Sequence, residues 1–68
     1  MLETFTYSVY TFHNRTQKQA MMLCQQSILN EMAQRGMVAV GGWRVFVEMD
    51  MEKGQEYVQV SARGEVIE

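Results

Sequence analysis

The chain has 68 residues, a formal net charge of −2, 47% hydrophobic residues and a single cysteine, Cys24. A chain of this size forms one domain with a small core, so we treat residues 1–68 as a single compact domain with a stability of only about 3–5 kcal/mol. The composition excludes a membrane span, because no apolar run reaches ~20 residues, and the acidic balance argues against a nucleic-acid binder, which usually carries a basic stripe. An unpaired cysteine rules out an intrachain disulfide and fits a reducing, cytoplasmic location.

The first predicted element is a strand over residues 2–12, where β-branched and aromatic residues alternate with polar ones. The face expected to meet a helix carries Phe5, Tyr7 and Val9. The opposite face begins with threonine and serine and ends with Tyr10 and Phe12. The far end of this strand is therefore expected to be apolar on its outer side as well.

The next predicted element is one amphipathic helix over residues 17–35. Thr16 followed three residues later by Gln19 is a capping-box arrangement, which places the helix start near Gln17. At 100° per residue the apolar side chains fill one half of the helical wheel: Met21, Met22, Cys24, Ile28, Leu29, Met32 and Ala33. Leu23 falls on the polar half, and Gly36 suits the left-handed position that follows a helix.

A second strand is predicted over residues 37–51. Its inner face is expected to carry Met37, Ala39, Trp43, Val45, Val47 and Met49. Its outer face is expected to carry Val38, Val40, Arg44, Phe46, Glu48 and Asp50. Gly41 and Gly42 interrupt the strand as a bulge or a sharp bend. A tight turn at these glycines, which would leave two very short strands, is the alternative.

The third predicted strand covers residues 56–67, after a hairpin loop at 52–55 in which Gly54 supplies a positive φ. Its inward residues are Val58, Val60, Ala62 and Val66, and its outward residues are Tyr57, Gln59, Ser61 and Arg63. The predicted fold is therefore α+β in the order β-α-β-β, with one amphipathic helix packed on one face of a three-stranded, mainly antiparallel sheet. The sequence leaves open whether the first strand pairs with the second or the third.

No pattern in the sequence predicts an enzyme, a metal site or a cofactor. His13 lies at the junction of the first strand and the helix without a partner to orient it as a general base. Cys24 falls inside the apolar arc, whereas a reactive thiolate needs an exposed, electropositive setting. The acidic residues around the hairpin, Glu48, Asp50, Glu52 and Glu56, lack the spacing of a calcium loop. We interpret them as a solvated edge.

A single helix covers one face of a sheet, so aromatic side chains on the opposite face need another partner. Aromatic residues and arginine are enriched at the centres of protein interfaces. The predicted partner-binding residues are Tyr10, Phe12, Arg44, Phe46, Tyr57 and Arg63, with Glu48 and Asp50 steering the approach. The leading hypothesis is a non-enzymatic protein–protein interaction module, either a homodimer or a subunit that docks on a larger protein. In size and architecture it resembles small inhibitors and adaptors of phages and mobile elements, such as anti-CRISPR and polymerase-inhibitor proteins.

Two alternatives come from other functional classes. Trp43 is predicted to lie in the core, but a change of phase at the glycines would bring it outside beside Phe46, where it could stack on a flavin. With this tryptophan and the order β-α-β-β, the chain resembles the dodecins in element order and length, which implies an oligomeric flavin-binding protein. The Tyr-Gln pair that enters the last dodecin strand is not reproduced by residues 56–59. The other alternative is a single-stranded nucleic-acid binder on the aromatic face, against which the net charge argues.

Overall fold

The computed structural model describes residues 2–67. Its elements are β1 (Leu2–Tyr10), α1 (Gln17–Gln34), β2 (Met37–Asp50) and β3 (Gln55–Val66). The predicted α+β class and the order β-α-β-β are confirmed. The boundaries differ by one or two residues, because β1 ends at Tyr10 and the hairpin loop comprises residues 51–54.

The three strands form one antiparallel sheet in the order β1-β3-β2. The central strand β3 pairs with β1, as Phe5 lies opposite Ala62, and also pairs with β2 along its length. β1 and β2 are consequently parallel to each other with β3 between them, and α1 makes the connection across the sheet. This order leaves one side of β2 without a strand partner in residues 2–67.

Local sequence signals set both ends of α1. The backbone N–H of Gln19 donates to Thr16 Oγ1 at 3.2 Å, and the N–H of Thr16 donates to Gln19 Oε1 at 2.8 Å, which is the predicted capping box. The helix is capped at its other end by Arg35, and Gly36 follows with φ of 66° in the left-handed region. The helix therefore begins and ends close to the predicted residues.

Gly41 and Gly42 form a bulge in β2 and not a turn. The pairs that flank it are Val40 with Arg63 and Arg44 with Ser61. Residues 41–43 thus lie opposite Ala62 alone, and Gly41 takes φ of 76°. Because the bulge adds two residues, the alternation of faces is kept, and Trp43 packs half-buried against the core as predicted.

The core is a narrow band between α1 and the middle of the sheet. Its buried residues are Phe5, Ala20, Cys24, Ile28, Met32, Met37, Val58, Val60 and Ala62. The helix contributes every fourth residue to the core, so its buried stripe is narrower than the half of the helical wheel that we predicted. Met22 and Leu29, which we placed in that half, are 54% and 45% exposed. No helix within residues 2–67 is long and apolar enough to cross a membrane.

The helix also leaves part of its own face of the sheet uncovered. Val45, Val47 and Met49 lie on the predicted inner face of β2 but remain 43%, 46% and 52% exposed. Their neighbours across the ladder, Val60 and Val58, are fully buried. The sequence pattern placed these residues on the correct face, but their predicted burial is wrong because α1 packs on β2 only as far as Trp43.

Candidate protein-binding surface

The open face of the sheet is polar at its centre. The hydroxyls of Thr6 and Ser61 lie 3.1 Å apart across β1 and β3, and Ser8 lies opposite Gln59 in the next row. Phe46 lies opposite Gln59, one row away from Tyr57, which lies opposite both Tyr10 and Glu48. Apart from Phe12, the predicted partner-binding residues fall into two groups, one at the hairpin end of the sheet and one on β2 and the adjoining part of β3.

The hairpin end holds a tyrosine–acid cluster, defined by Tyr10, Glu48, Asp50 and Tyr57. The two tyrosine rings pack edge to face with centroids 6.1 Å apart. The Tyr10 hydroxyl donates to Asp50 Oδ2 at 2.6 Å, and the Tyr57 hydroxyl donates to Glu48 Oε2 at 3.4 Å. The cluster connects β1 to the tip of the β2–β3 hairpin, so these side chains hold the fold together at this end.

Asp50 is the most constrained member of this cluster. Besides the Tyr10 hydroxyl it accepts the backbone N–H groups of Glu52 and Lys53 on Oδ1, at 3.1 and 3.2 Å. The Tyr10 hydrogen bond and the Lys53 N–H hold the pKa of Asp50 below its usual value. The same hydrogen bond raises the pKa of Tyr10, while the charge of Glu48 raises the pKa of Tyr57. We predicted Asp50 as a steering charge; an aspartate that begins a turn is the signal for this anchoring role.

The second group is on β2 and the adjoining part of β3. Arg44, Phe46 and Arg63 line a shallow depression together with Thr4 and Ser61. Phe46 is 48% exposed. Within residues 2–67 neither arginine forms an ion pair. Three of the predicted partner-binding residues therefore lie together, with their aromatic ring and both charges available.

Phe12 does not belong to either group. Its backbone exchanges two hydrogen bonds with Arg15, at 3.1 and 3.0 Å, and the Arg15 guanidinium lies 5.3 Å from the centroid of its ring. Pairing with β3 ends at Thr11, whose N–H donates to the Glu56 carbonyl at 2.9 Å. The prediction that Phe12 lies on the outer face is wrong, because the chain must already turn there towards the start of α1.

The remaining side chains that could take part in catalysis or metal binding are Glu56, Cys24 and His13, and none of them lies in a suitable setting. Glu56 accepts hydrogen bonds from Thr11 and from Gln17 at the start of α1. Cys24 is fully buried, and its burial raises the pKa of the thiol. His13 is exposed in the turn before the helix. Among the described residues no three His, Cys, Asp or Glu side chains come close enough together to hold a metal ion.

Both β1 and β2 have one side without a strand partner in residues 2–67, and the two edges differ in their side chains. Along β1, the Tyr7 hydroxyl donates to Glu31 Oε2 at 2.8 Å, which links the strand to the helix. Arg35 extends this network, since it pairs with Glu3 on β1 and with Glu31, and its guanidinium lies over the Phe5 ring. The β1 edge is thereby flanked by charged and hydrogen-bonded groups.

The β2 edge is more apolar along residues 44–49. Residues 44–49, which we call the β2 edge surface, carry Val45, Val47 and Met49 on the helix side and Phe46 on the open side, all about half exposed. The outer backbone groups of this segment have no strand partner in residues 2–67. Sequence reasoning missed this surface because it assigned the three helix-side residues to the core. The available signal was a strand that is apolar on both faces.

Comparisons with known proteins give no relative for this arrangement: no protein-family model, no curated protein and no solved structure matches the chain. The functional interpretation therefore depends on the β2 edge surface and the groups around it.

Proposed function

We propose that the protein is a non-enzymatic protein–protein interaction domain that binds its partner through the β2 edge surface. One observation carries this proposal: an unpaired edge strand exposes apolar side chains on both of its faces. Natural sheets usually protect such edges with charged side chains or proline; residues 44–49 carry Arg44 and Glu48 on the open face, but only apolar side chains on the helix side. A strand of this kind is suited to accept another strand, whose backbone supplies hydrogen bonds while side chains on both faces supply contact area.

The apolar side chains of this surface can contribute appreciably to binding. Complete burial of a Val, Phe or Met side chain is worth about 1.5–3 kcal/mol. Since four such side chains are about half exposed, covering them would contribute roughly 3–6 kcal/mol. This gain is comparable to the total stability of about 3–5 kcal/mol expected for a domain of this size. Burial of these side chains would therefore increase both the affinity for the partner and the stability of the folded domain.

The charged residues beside the surface support an oriented interaction. Arg44 and Glu48 flank Phe46 on the open face, and Arg63 lies in the depression next to it. Charges at the rim of an interface increase association rates and exclude wrong partners. The tyrosine–acid cluster holds the hairpin in one conformation, so the binding strand is ordered before the partner arrives.

A role as a phage or mobile-element inhibitor or adaptor remains a prediction about the identity of the target, as does a cytoplasmic location. The flavin alternative requires a free Trp43 ring, but this ring packs against the core. The single-strand alternative requires a basic aromatic face, but Tyr10 and Tyr57 on that face are hydrogen-bonded to the acids Asp50 and Glu48. No observation favours either alternative over a protein partner.

Site-specific photocrosslinking in the native host tests the proposal. A benzoylphenylalanine placed at Phe46 should form covalent products with protein after irradiation, identified by mass spectrometry. The matched control is the same probe at Leu23, which is 46% exposed on the helix away from the sheet. Adding Val47→Asp to the Phe46 probe should remove the products. Equal products from both positions, or none from Phe46, would contradict the proposal.

A further inference from the structure

We propose that the partner at the β2 edge surface is a second copy of this chain. In this arrangement β2 pairs antiparallel with β2 of the partner subunit around a two-fold axis through Phe46, and Arg44 faces Glu48 of the partner subunit. The inference rests on the proposed function and specifies its partner. It joins two three-stranded sheets into one sheet of six strands.

The order of charges along β2 is self-complementary. The open-face residues read Arg44, Phe46, Glu48, and an antiparallel copy presents the same three in reverse. An axis through Phe46 then places the two phenylalanine rings side by side and forms two arginine–glutamate pairs. Opposite charges directly across an antiparallel pair are stabilising, and like charges are destabilising.

Both charged groups are available for this pairing. Arg44 has no ion pair within residues 2–67, and Glu48 has only the 3.4 Å contact from the Tyr57 hydroxyl. Moving the axis to Val47 would place Arg44 opposite Asp50 of the partner subunit. The Asp50 carboxylate already accepts the Tyr10 hydroxyl and two backbone N–H groups. That register would also place Phe46 opposite a glutamate, so the axis through Phe46 matches charge and apolar groups better.

The helix side of the strand is complementary in the same register. Val45 lies opposite Val47 of the partner subunit, and Trp43 lies opposite Met49 of the partner subunit. An axis perpendicular to the sheet keeps both copies of α1 on one face of the joined sheet. The uncovered valines and methionines of both chains then meet in the space between the two helices. The apolar side chains that α1 leaves exposed thus gain apolar neighbours from the other subunit.

Charge reversal tests the pairing. Sedimentation equilibrium at low ionic strength, where exposed ion pairs are least screened, should give a mass of two chains for the natural protein. Arg44→Glu and Glu48→Arg should each raise the dimer dissociation constant by about tenfold or more, since each change creates two like-charge pairs. An equimolar mixture of these two variants should recover the dimer, as should the double variant. Recovery also shows that the single variants are folded, and failure to recover would overturn the proposal.

Disulfide trapping tests the register. Directly opposed residues in an antiparallel pair have Cα atoms about 4.5–5.5 Å apart, which lies within the range for a disulfide of roughly 4.4–6.8 Å. Phe46→Cys should therefore form a covalent dimer on mild oxidation. The control is Val38→Cys, on the same strand and face and equally exposed at 47%, because residue 38 lies far from its copy in this register. Equal trapping of both variants, or faster trapping of Val47→Cys, would overturn the proposed axis.

These outcomes separate the inference from the proposed function. A natural protein that sediments as a monomer at all accessible concentrations, yet forms photoproducts with another protein from position 46, would refute self-pairing and retain the interaction domain. Photoproducts consisting of two copies of the chain, together with a two-chain mass, support both. The absence of any photoproduct and of any dimer refutes both.

Discussion

The contact between Tyr10 and Asp50 makes the stability of the fold depend on the charge of one side chain. Their hydrogen bond fastens β1 to the hairpin, and it keeps the Asp50 carboxylate ionised at lower pH than in the unfolded chain. The Asp50 carboxylate therefore stabilises the fold fully when the pH is above its pKa in the unfolded chain. This stabilisation is lost as the pH falls through its lower pKa in the folded protein. The sequence placed both residues on the outer face but did not indicate their contact, because residues forty positions apart meet only through the strand order β1-β3-β2.

Asp50→Asn should reduce the acid sensitivity of the fold. In the natural protein the free energy of unfolding should fall as the pH drops into and below the range in which a carboxyl group is normally protonated, and part of that fall should disappear in the variant. Urea titrations followed by circular dichroism at several pH values measure the difference. Glu52→Gln serves as the control, because the Glu52 side chain accepts no hydrogen bond in the described chain. Identical pH dependence for both variants would show that Asp50 does not carry this effect.

Gly64→Ala should destabilise the protein, although glycine is usually a poor strand residue. A Cβ at position 64 would lie 3.1 Å from Met32 Cε and 3.2 Å from Phe5 Cε1. Overpacking of a core typically costs about 1–3 kcal/mol. At Gly42 a Cβ would meet nothing within 4 Å, so Gly42→Ala is the control and should leave the unfolding free energy nearly unchanged. Equal melting temperatures for the two variants would mean that Met32 and Phe5 shift without loss.

At the scale of elements, local sequence signals were sufficient to predict the type of each element and the face on which its apolar residues lie. They were not sufficient to predict whether that face is covered. The Thr16–Gln19 capping box located the start of α1, and period-two alternation assigned the correct face to Val45 and Val47. Whether that face is covered depends on where the helix lies across the sheet, which is a property of contacts distant in sequence. Phe12 was misplaced for a similar reason. The alternation of apolar and polar residues continues in the sequence after the backbone of β1 has stopped pairing with β3.

The narrow contact of α1 can be tested at two adjacent residues. Ile28 is completely buried, whereas Leu29 is 45% exposed. Ile28→Ala should cost about 2–5 kcal/mol, which is enough to leave most of a domain this small unfolded. Leu29→Ala should cost much less, as its side chain contributes little to the core. Thermal unfolding followed by far-ultraviolet circular dichroism compares the two, and equal losses would mean that the helix buries a wider face.

At the scale of the whole molecule, both edges of the sheet lack a strand partner within residues 2–67, and they differ in side-chain chemistry. The Arg35 network flanks β1, while residues 44–49 of β2 expose apolar groups on both faces. We predicted an excess of apolar surface on the face opposite the helix, but around β2 most of the exposed apolar residues, Val45, Val47 and Met49, lie on the helix side. The sequence could not show this, because it depends on β3 being the central strand. Arg44 and Phe46 were predicted as binding residues, but the helix-side residues beside them were not.

The burial of Cys24 has a practical consequence. Its sulfur lies between α1 and the central strand β3, 3.7 Å from the Val58 carbonyl oxygen. An alkylating reagent can reach this thiol only when the helix lifts from the sheet, so the labelling rate reports how often the native structure opens. A cysteine introduced at the molecular surface would react far sooner, and spectroscopic probes could be attached there without removing the natural thiol.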